Sequence, residues 1–204
     1  RALNAAGIAT LELDSYFPRG VRNGTERNAP VLCDRLQDAW GALVFLARDT
    51  RINSQKIGVA GMSSGAAVAI MSGMGVRPAR LARNNSILPI EQVFAAHFAL
   101  YPGCANIMDD QQRIRSWINP GRPQNWGATG KPIHIVSGTS DDFDFNPKTD
   151  CLRMREEFPD IALLLHDLRC SLTLIGHFAT CVPIPAILTQ IAASTSHRHS
   201  DLPL

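Results

Sequence analysis

A serine framed by two glycines, set between an apolar run and an alanine-rich run, constrains this chain more than any other feature. Ile57-Gly-Val-Ala60 is short, apolar and partly β-branched, which suits a buried parallel strand. Gly61-Met62-Ser63-Ser64-Gly65 follows it. Ala66 to Met71 is small, apolar and helix-favouring. Strand, sharp turn and helix is the setting in which G-x-S-x-G carries chemical meaning, because the turn lifts a hydroxyl above the end of a sheet. The flanking glycines are expected to let strand and helix approach where a Cβ would obstruct them. The serine also stands at a helix N-terminus, where backbone N–H groups and the helix dipole favour negative charge. A tetrahedral oxyanion gains from that field. Ser63 is therefore the candidate nucleophile, and the backbone N–H of Ser64 a candidate oxyanion donor.

Composition narrows the class. The 204 residues suit one domain with a proper core, and the reading places a single domain at 1–194 and a polar tail at 195–204. A net charge of +2 makes no electrostatic case for nucleic acid or an acidic membrane surface. No run of eighteen or more apolar residues occurs, so no transmembrane helix is expected. Cys33, Cys104, Cys151, Cys170 and Cys181 contain no C-x-x-C pair, which argues against a structural zinc site. Buried free thiols are the default expectation for them. No metal site is expected. Oligomeric state and compartment stay open.

The first residues, Arg1 to Gly7, read as the last turns of a helix closed by Gly7. With no initiator Met and no leader pattern, the expectation is an N-terminally incomplete chain. Ile8 to Asp14 is an expected strand ending in a carboxylate, and Ser15 to Val21 a loop broken by Pro18 and Gly20. Val31 to Ala47 has helical spacing of apolar residues. After the elbow helix comes an irregular basic segment with Arg77, Arg80 and Arg83, expected to be a solvated excursion. Gln92 to Tyr101 is the next expected strand, with His97 inside it as a packing residue. Cys104 to Lys131 is long enough to be a lid or pocket wall, in which Trp117 and Trp126 either line an acyl pocket or pack the loop down. Pro132 to Ser137 is a strand, Pro147 to Phe158 a helix, and Cys170 to Ile175 the expected last strand, just before Gly176-His177. Alternating strands and helices imply an α/β fold with a mostly parallel sheet covered by helices on both faces.

In such sheets ligands bind beyond the carboxyl ends of the strands. Ser63, then Asp141 or Asp142, then His177 each follow an expected strand, in the chain order that accompanies this elbow. Ser63 Oγ would attack an acyl carbon, His177 would take its proton, and the aspartate would fix the imidazole tautomer. The spacing Gly138-x-x-Asp141 favours Asp141 over Asp142. Met62, Trp117 and Trp126 are the candidate substrate contacts.

Together the elbow, Asp14-Ser-Tyr-Phe-Pro-Arg-Gly-Val21, Tyr101-Pro-Gly-Cys104, Gly138-Thr-Ser-Asp-Asp-Phe143 and Gly176-His-Phe178 resemble the dienelactone hydrolase family of α/β-hydrolases. The likeness runs from about Leu3 to Phe178. It implies an α/β-hydrolase fold with early strands missing, and cofactor-free hydrolysis of small carboxylic esters or lactones. It places the catalytic positions at Ser63, Asp141 and His177. Founding members use a cysteine where this chain has Ser63, and relatives often carry a glycine where it has Ala66. They also carry a longer loop before the histidine than Ile175-Gly176. The strand expected to be missing would lie between Ile8–Asp14 and the elbow strand, and would bring the second oxyanion donor. Cys104 and Cys151 follow strands expected to be neighbours, so a disulfide between them is conceivable. The competing reading from another class is a non-catalytic hydrolase-like domain that binds a ligand or partner. A peptide or amide substrate ranks below both.

Overall fold

The computed structural model describes residues 2–75, 92–104, 107, 129–138, 147–157 and 163–168. Helix α1 (Ala2–Ala5) ends as its sequence predicts. Gly7 takes φ 78°, its N–H donates to Asn4 O, and the Ile8 N–H reaches Leu3 O, both at 3.0 Å. This is the paired C-terminal closure that glycine makes possible.

Residues 8–14 correct the first expectation. They are extended but belong to no ladder among the described residues, and Ile8, Leu11 and Leu13 are each about half exposed. Alternation alone does not make a strand; its N–H and C=O groups need a neighbour, and none of the described strands runs beside them.

Helix α2 (Leu32–Ala47) follows from periodicity. Leu36, Ala39, Trp40, Leu43 and Val44 recur on one face, and all five are buried. Val31 has no side-chain acceptor with which to cap the helix. The Asp34 carboxylate instead accepts the Val31 N–H at 3.2 Å and puts negative charge in the first turn.

Four parallel strands form one sheet in the order β1-β2-β3-β4: β1 (Val59–Met62), β2 (His97–Leu100), β3 (Ile133–Gly138) and β4 (Leu163–Leu168). The elbow strand thus lies two residues later than Ile57–Ala60, and its last two residues are the first two of the G-x-S-x-G pentapeptide. The fourth strand was not anticipated. It pairs Ile133 with Leu163 through Gly138 with Leu168, ahead of the strand expected at Cys170 to Ile175, a segment outside the described residues. The helix expected over Pro147 to Phe158 is present as α4 (Pro147–Glu157).

Helix α3 (Ser64–Gly73) lies between α2 and the sheet, meeting β1, β2 and β3. That position explains its composition. Ala66, Val68, Ala69, Ile70, Met71, Ser72 and Gly73 are all buried, so nearly every face must be small or apolar. At Gly73 an added Cβ would stand 2.5 Å from Ile133 Cδ1 and 3.1 Å from His97 Cγ. The core joins Leu36, Trp40 and Leu43 of α2 to Ile70 and Met71 of α3, Phe94, Ile133 and Ile135 of β3, and Met154 of α4. Trp40 and Phe94 have ring centroids 5.4 Å apart.

Cys104 and Cys151 form a disulfide, with Cα atoms 5.2 Å apart and both residues fully buried. The default of buried free thiols is overturned for this pair. Cys104 follows β2 and Cys151 lies in α4, which follows the neighbouring β3, so the parallel order brings them together.

His97 is a packed residue, as expected from its place inside a strand. It is fully buried, and its ring Nδ1 stands 3.2 Å from Pro132 O, which fixes the proton on Nδ1. Nε2 is buried without a hydrogen-bond partner. Burial pushes the imidazole down to about 4, with the Pro132 carbonyl opposing that in part. The folded value lies below the unfolded one of about 6.5, so the unfolded chain binds more protons between them and stability falls as pH falls from about 6.5 to about 4. Urea unfolding at pH 7.5 and 4.5 should therefore show about 2–3 kcal/mol more acid loss in the unaltered chain than in His97→Gln. Equal losses in the two would show that His97 does not carry this part of the pH dependence.

Candidate active site

The elbow is built by backbone geometry before any side chain acts. Ser63 has φ 48° and ψ −118°, a conformation that L-residues rarely take. Two hydrogen bonds pin it: its N–H donates to Leu100 O at 3.0 Å, and its carbonyl accepts from the Ala66 N–H at 2.9 Å. Such a backbone costs about 1–3 kcal/mol and persists only where the surroundings over-determine it. Gly61 is the residue that allows the turn. A Cβ there would fall on the Gly65 carbonyl and stand 2.8 Å from Ala66 N. Backbone cannot yield as a flexible side chain can, so the position admits only glycine. Gly65 differs from the expectation for it, since an added Cβ there meets nothing within 4 Å. Of the two glycines, only the first is required by close approach.

Ser63 is half-buried and its hydroxyl does not cap its own helix. It stands at the N-terminus of the ten-residue α3. The Ser64 N–H belongs to the first turn, whose donors have no carbonyl behind them within the helix. Ser64 and Met62 are exposed, Met62 at 61%.

Beside the elbow, Leu100 ends β2 and Tyr101 follows. Tyr101 has φ 39°, the other positive φ outside glycine among the described residues. The register aligns Met62 with Leu100, which puts Ser63 and Tyr101 at one level beyond the paired strand ends. The sequence reading placed Tyr101 at a strand end and gave it no role. The sequence carried no signal for it: a residue before proline is restricted already, and a positive φ there is rarer still.

Asp14 is the carboxylate of an expected strand end, and local structure consumes it. Its Oδ1 accepts the backbone N–H groups of Tyr16 at 2.8 Å and Phe17 at 3.0 Å. Those bonds, that from Phe17 first, hold its carboxyl below the usual range. The loop is then tied to α2 by Arg19, which donates to both Asp38 oxygens at 2.7 and 2.8 Å and to Ser15 O at 2.7 Å. Open concavities of ≈ 570 Å³ over this loop and ≈ 500 Å³ along α2 are not lined by Ser63.

Asp141, Asp142, His177, Trp117 and Trp126 lie outside the described residues, as does the basic segment with Arg77, Arg80 and Arg83. Among the described residues no group of three or more His, Cys, Asp or Glu could hold a metal ion. No described helix is long and apolar enough to cross a membrane.

No family model matches the chain, and no curated protein matches it by sequence. Solved structures do. Apo esterase 2 of Thermogutta terrifontis matches with a TM-score of 0.54 at 17% identity, over 90% of this chain and 71% of its own. The same esterase phosphoramylated by tabun gives 0.53 at 16%, over 90% and 70%. An acetyl ester-xyloside bifunctional hydrolase from Caldicellulosiruptor lactoaceticus gives 0.50 at 18%, over 81% and 62%. The chain has the α/β-hydrolase fold.

Proposed function

We propose that this chain hydrolyses small carboxylic esters or lactones through an acyl-enzyme on Ser63, in the manner of the dienelactone hydrolase family. The observation that carries the reading is the strained Ser63 at the strand-to-helix turn, with its hydroxyl not spent on capping its own helix. In the proposed sequence, Ser63 Oγ attacks the acyl carbon and His177 accepts its proton. The oxyanion forms against the Ser64 N–H. His177 then protonates the leaving alkoxide, water repeats the attack, and the acid is released. Asp141 holds the imidazole in the tautomer that presents its bare nitrogen to Ser63.

The described strand ends support the chain's ability to assemble this triad. Asp141 stands three residues past the end of β3. His177 was expected two residues past its strand. With β4 ending at Leu168, positions 169–176 intervene. The three strand steps from β4 back to β1 span about 14 Å. Nine Cα steps reach at most about 30 Å, so the length suffices. The solved esterases of this fold, one of them bearing a tabun adduct, agree with ester chemistry.

The test is labelling by a fluorophosphonate probe with peptide mapping, alongside turnover of p-nitrophenyl acetate. Adduct on Ser63, together with loss of both signals in His177→Ala, is the expected result. Adduct elsewhere, or unchanged turnover in His177→Ala, would reject the triad. Intact folding without labelling or turnover would favour the binding-domain reading.

A further inference from the structure

Two non-glycine residues with positive φ occur among the described residues, and they are neighbours. Ser63 has φ 48° and Tyr101 has φ 39°. Ser63 N–H donates to Leu100 O at 3.0 Å, and the Tyr101 N–H donates to Val136 O at 2.7 Å. The two strained positions therefore sit at the carboxyl ends of adjacent parallel strands, bracketed by β3 on the far side. Strain of this kind clusters where a ligand is handled.

The strain at Ser63 has its reason in the elbow. That at Tyr101 has none among the described residues. Glycine or asparagine would take this backbone more readily, and the following proline makes the position harder still for a bulky residue. The Tyr101 side chain gives little back. It is half-exposed, its hydroxyl bonds to nothing among the described residues, and its ring stacks on no other aromatic there. What holds the backbone is the surroundings: the Val136 carbonyl, the buried Pro102 and the crosslink from Cys104 to Cys151 three residues on. A strained position fixed by its neighbours, occupied by an aromatic side chain that no hydrogen bond or ring stack engages among the described residues, and level with the nucleophile, is the pattern of a residue kept for the substrate.

We propose that Tyr101 is a specificity-determining residue, its ring forming the wall that limits the acyl group of esters bound at Ser63. The proposal rests on the hydrolase reading of Ser63. The wall is the ring and not the hydroxyl, so phenylalanine should replace it.

The experiment measures kcat/KM on p-nitrophenyl acetate, butyrate and octanoate, with the rate of fluorophosphonate labelling at Ser63, for the unaltered chain, Tyr101→Phe and Tyr101→Gly. Glycine should raise the octanoate-to-acetate ratio by about tenfold or more, the scale at which pocket walls discriminate methylenes. Labelling should stay on Ser63 and not slow, and its Tm should not fall, since the positive φ becomes ordinary. Tyr101→Phe should keep the ratio within about twofold, as a wall made of ring alone requires. Tyr101→Asn, which tolerates the same backbone, repeats the glycine test should glycine fold poorly. An unchanged ratio in both the glycine and asparagine variants overturns the proposal. So does a fall of labelling and Tm together at constant ratio, which is the mark of a folding role. Labelling at Ser63 in the unaltered chain with no shift in selectivity sinks Tyr101 alone. Absence of labelling and of turnover in the unaltered chain sinks the hydrolase reading and this proposal with it.

Discussion

Ser63→Ala should lower kcat/KM for p-nitrophenyl acetate by about 10⁴-fold or more while leaving Tm within a few degrees. The size follows from the role. Removing the nucleophile of a serine triad leaves only what the oxyanion donors and binding supply, because the triad acts as a unit. The neutrality of Tm follows from the structure. The Ser63 hydroxyl caps no helix, and the turn is held by backbone bonds to Leu100 and Ala66 that alanine keeps. Alanine does not relieve the positive φ, so neither strain nor packing changes much. The paired measurement separates chemistry from folding. Activity that survives at more than about a hundredth of its original value would remove Ser63 from the role of nucleophile.

The parts of this fold that could be read in the sequence are those fixed by local rules. Helix α2 was legible because one face had to be buried against a core and the opposite face did not, which writes a 3.6-residue period into residues 36–44. The closure at Gly7 was legible because a left-handed residue after a helix is nearly always glycine. The elbow was legible because Gly61 is forced by backbone contact with Gly65 and Ala66. What failed depended on partners distant in sequence. Leu163-Leu-Leu-His-Asp-Leu168 carries a histidine and an aspartate, and the apolar Cys170 to Ile175 looks the better strand by composition. Pairing with β3 makes the former a strand, while residues 170–175 lie outside the described residues. Ile8 to Asp14 has the composition of a strand and forms none among the described residues, since a strand exists only with a neighbour. At the candidate site, the turn at Ser63 was legible from its glycines and the positive φ at Tyr101 was not, because no residue type announces that angle.

The crosslink between Cys104 and Cys151 carries the second large expected effect. In the chain-entropy account a bond closing a loop of separation 47 removes enough freedom from the unfolded chain to stabilise the fold by about 4 kcal/mol. For a domain of this size that corresponds to roughly 10 °C in Tm. The effect should be felt at a particular place. Among the described elements, α4 packs on β4 and gives Met154 to the core, while the bond ties it to the end of β2, close to Tyr101 and one strand from Ser63. Dithiothreitol adds two electrons and two protons to the bond, becomes its own cyclic disulfide, and frees two buried thiols. Thermal unfolding with and without it should differ by that shift, and Cys104→Ala/Cys151→Ala should match the reduced protein and ignore the reagent. Titration of the denatured chain should count two more thiols after reduction than before it. Finding Cys104 and Cys151 both reactive before any reductant, or a Tm that reduction does not move, would mean that the packing of Met154 and Ile135 holds α4 in place without the bond.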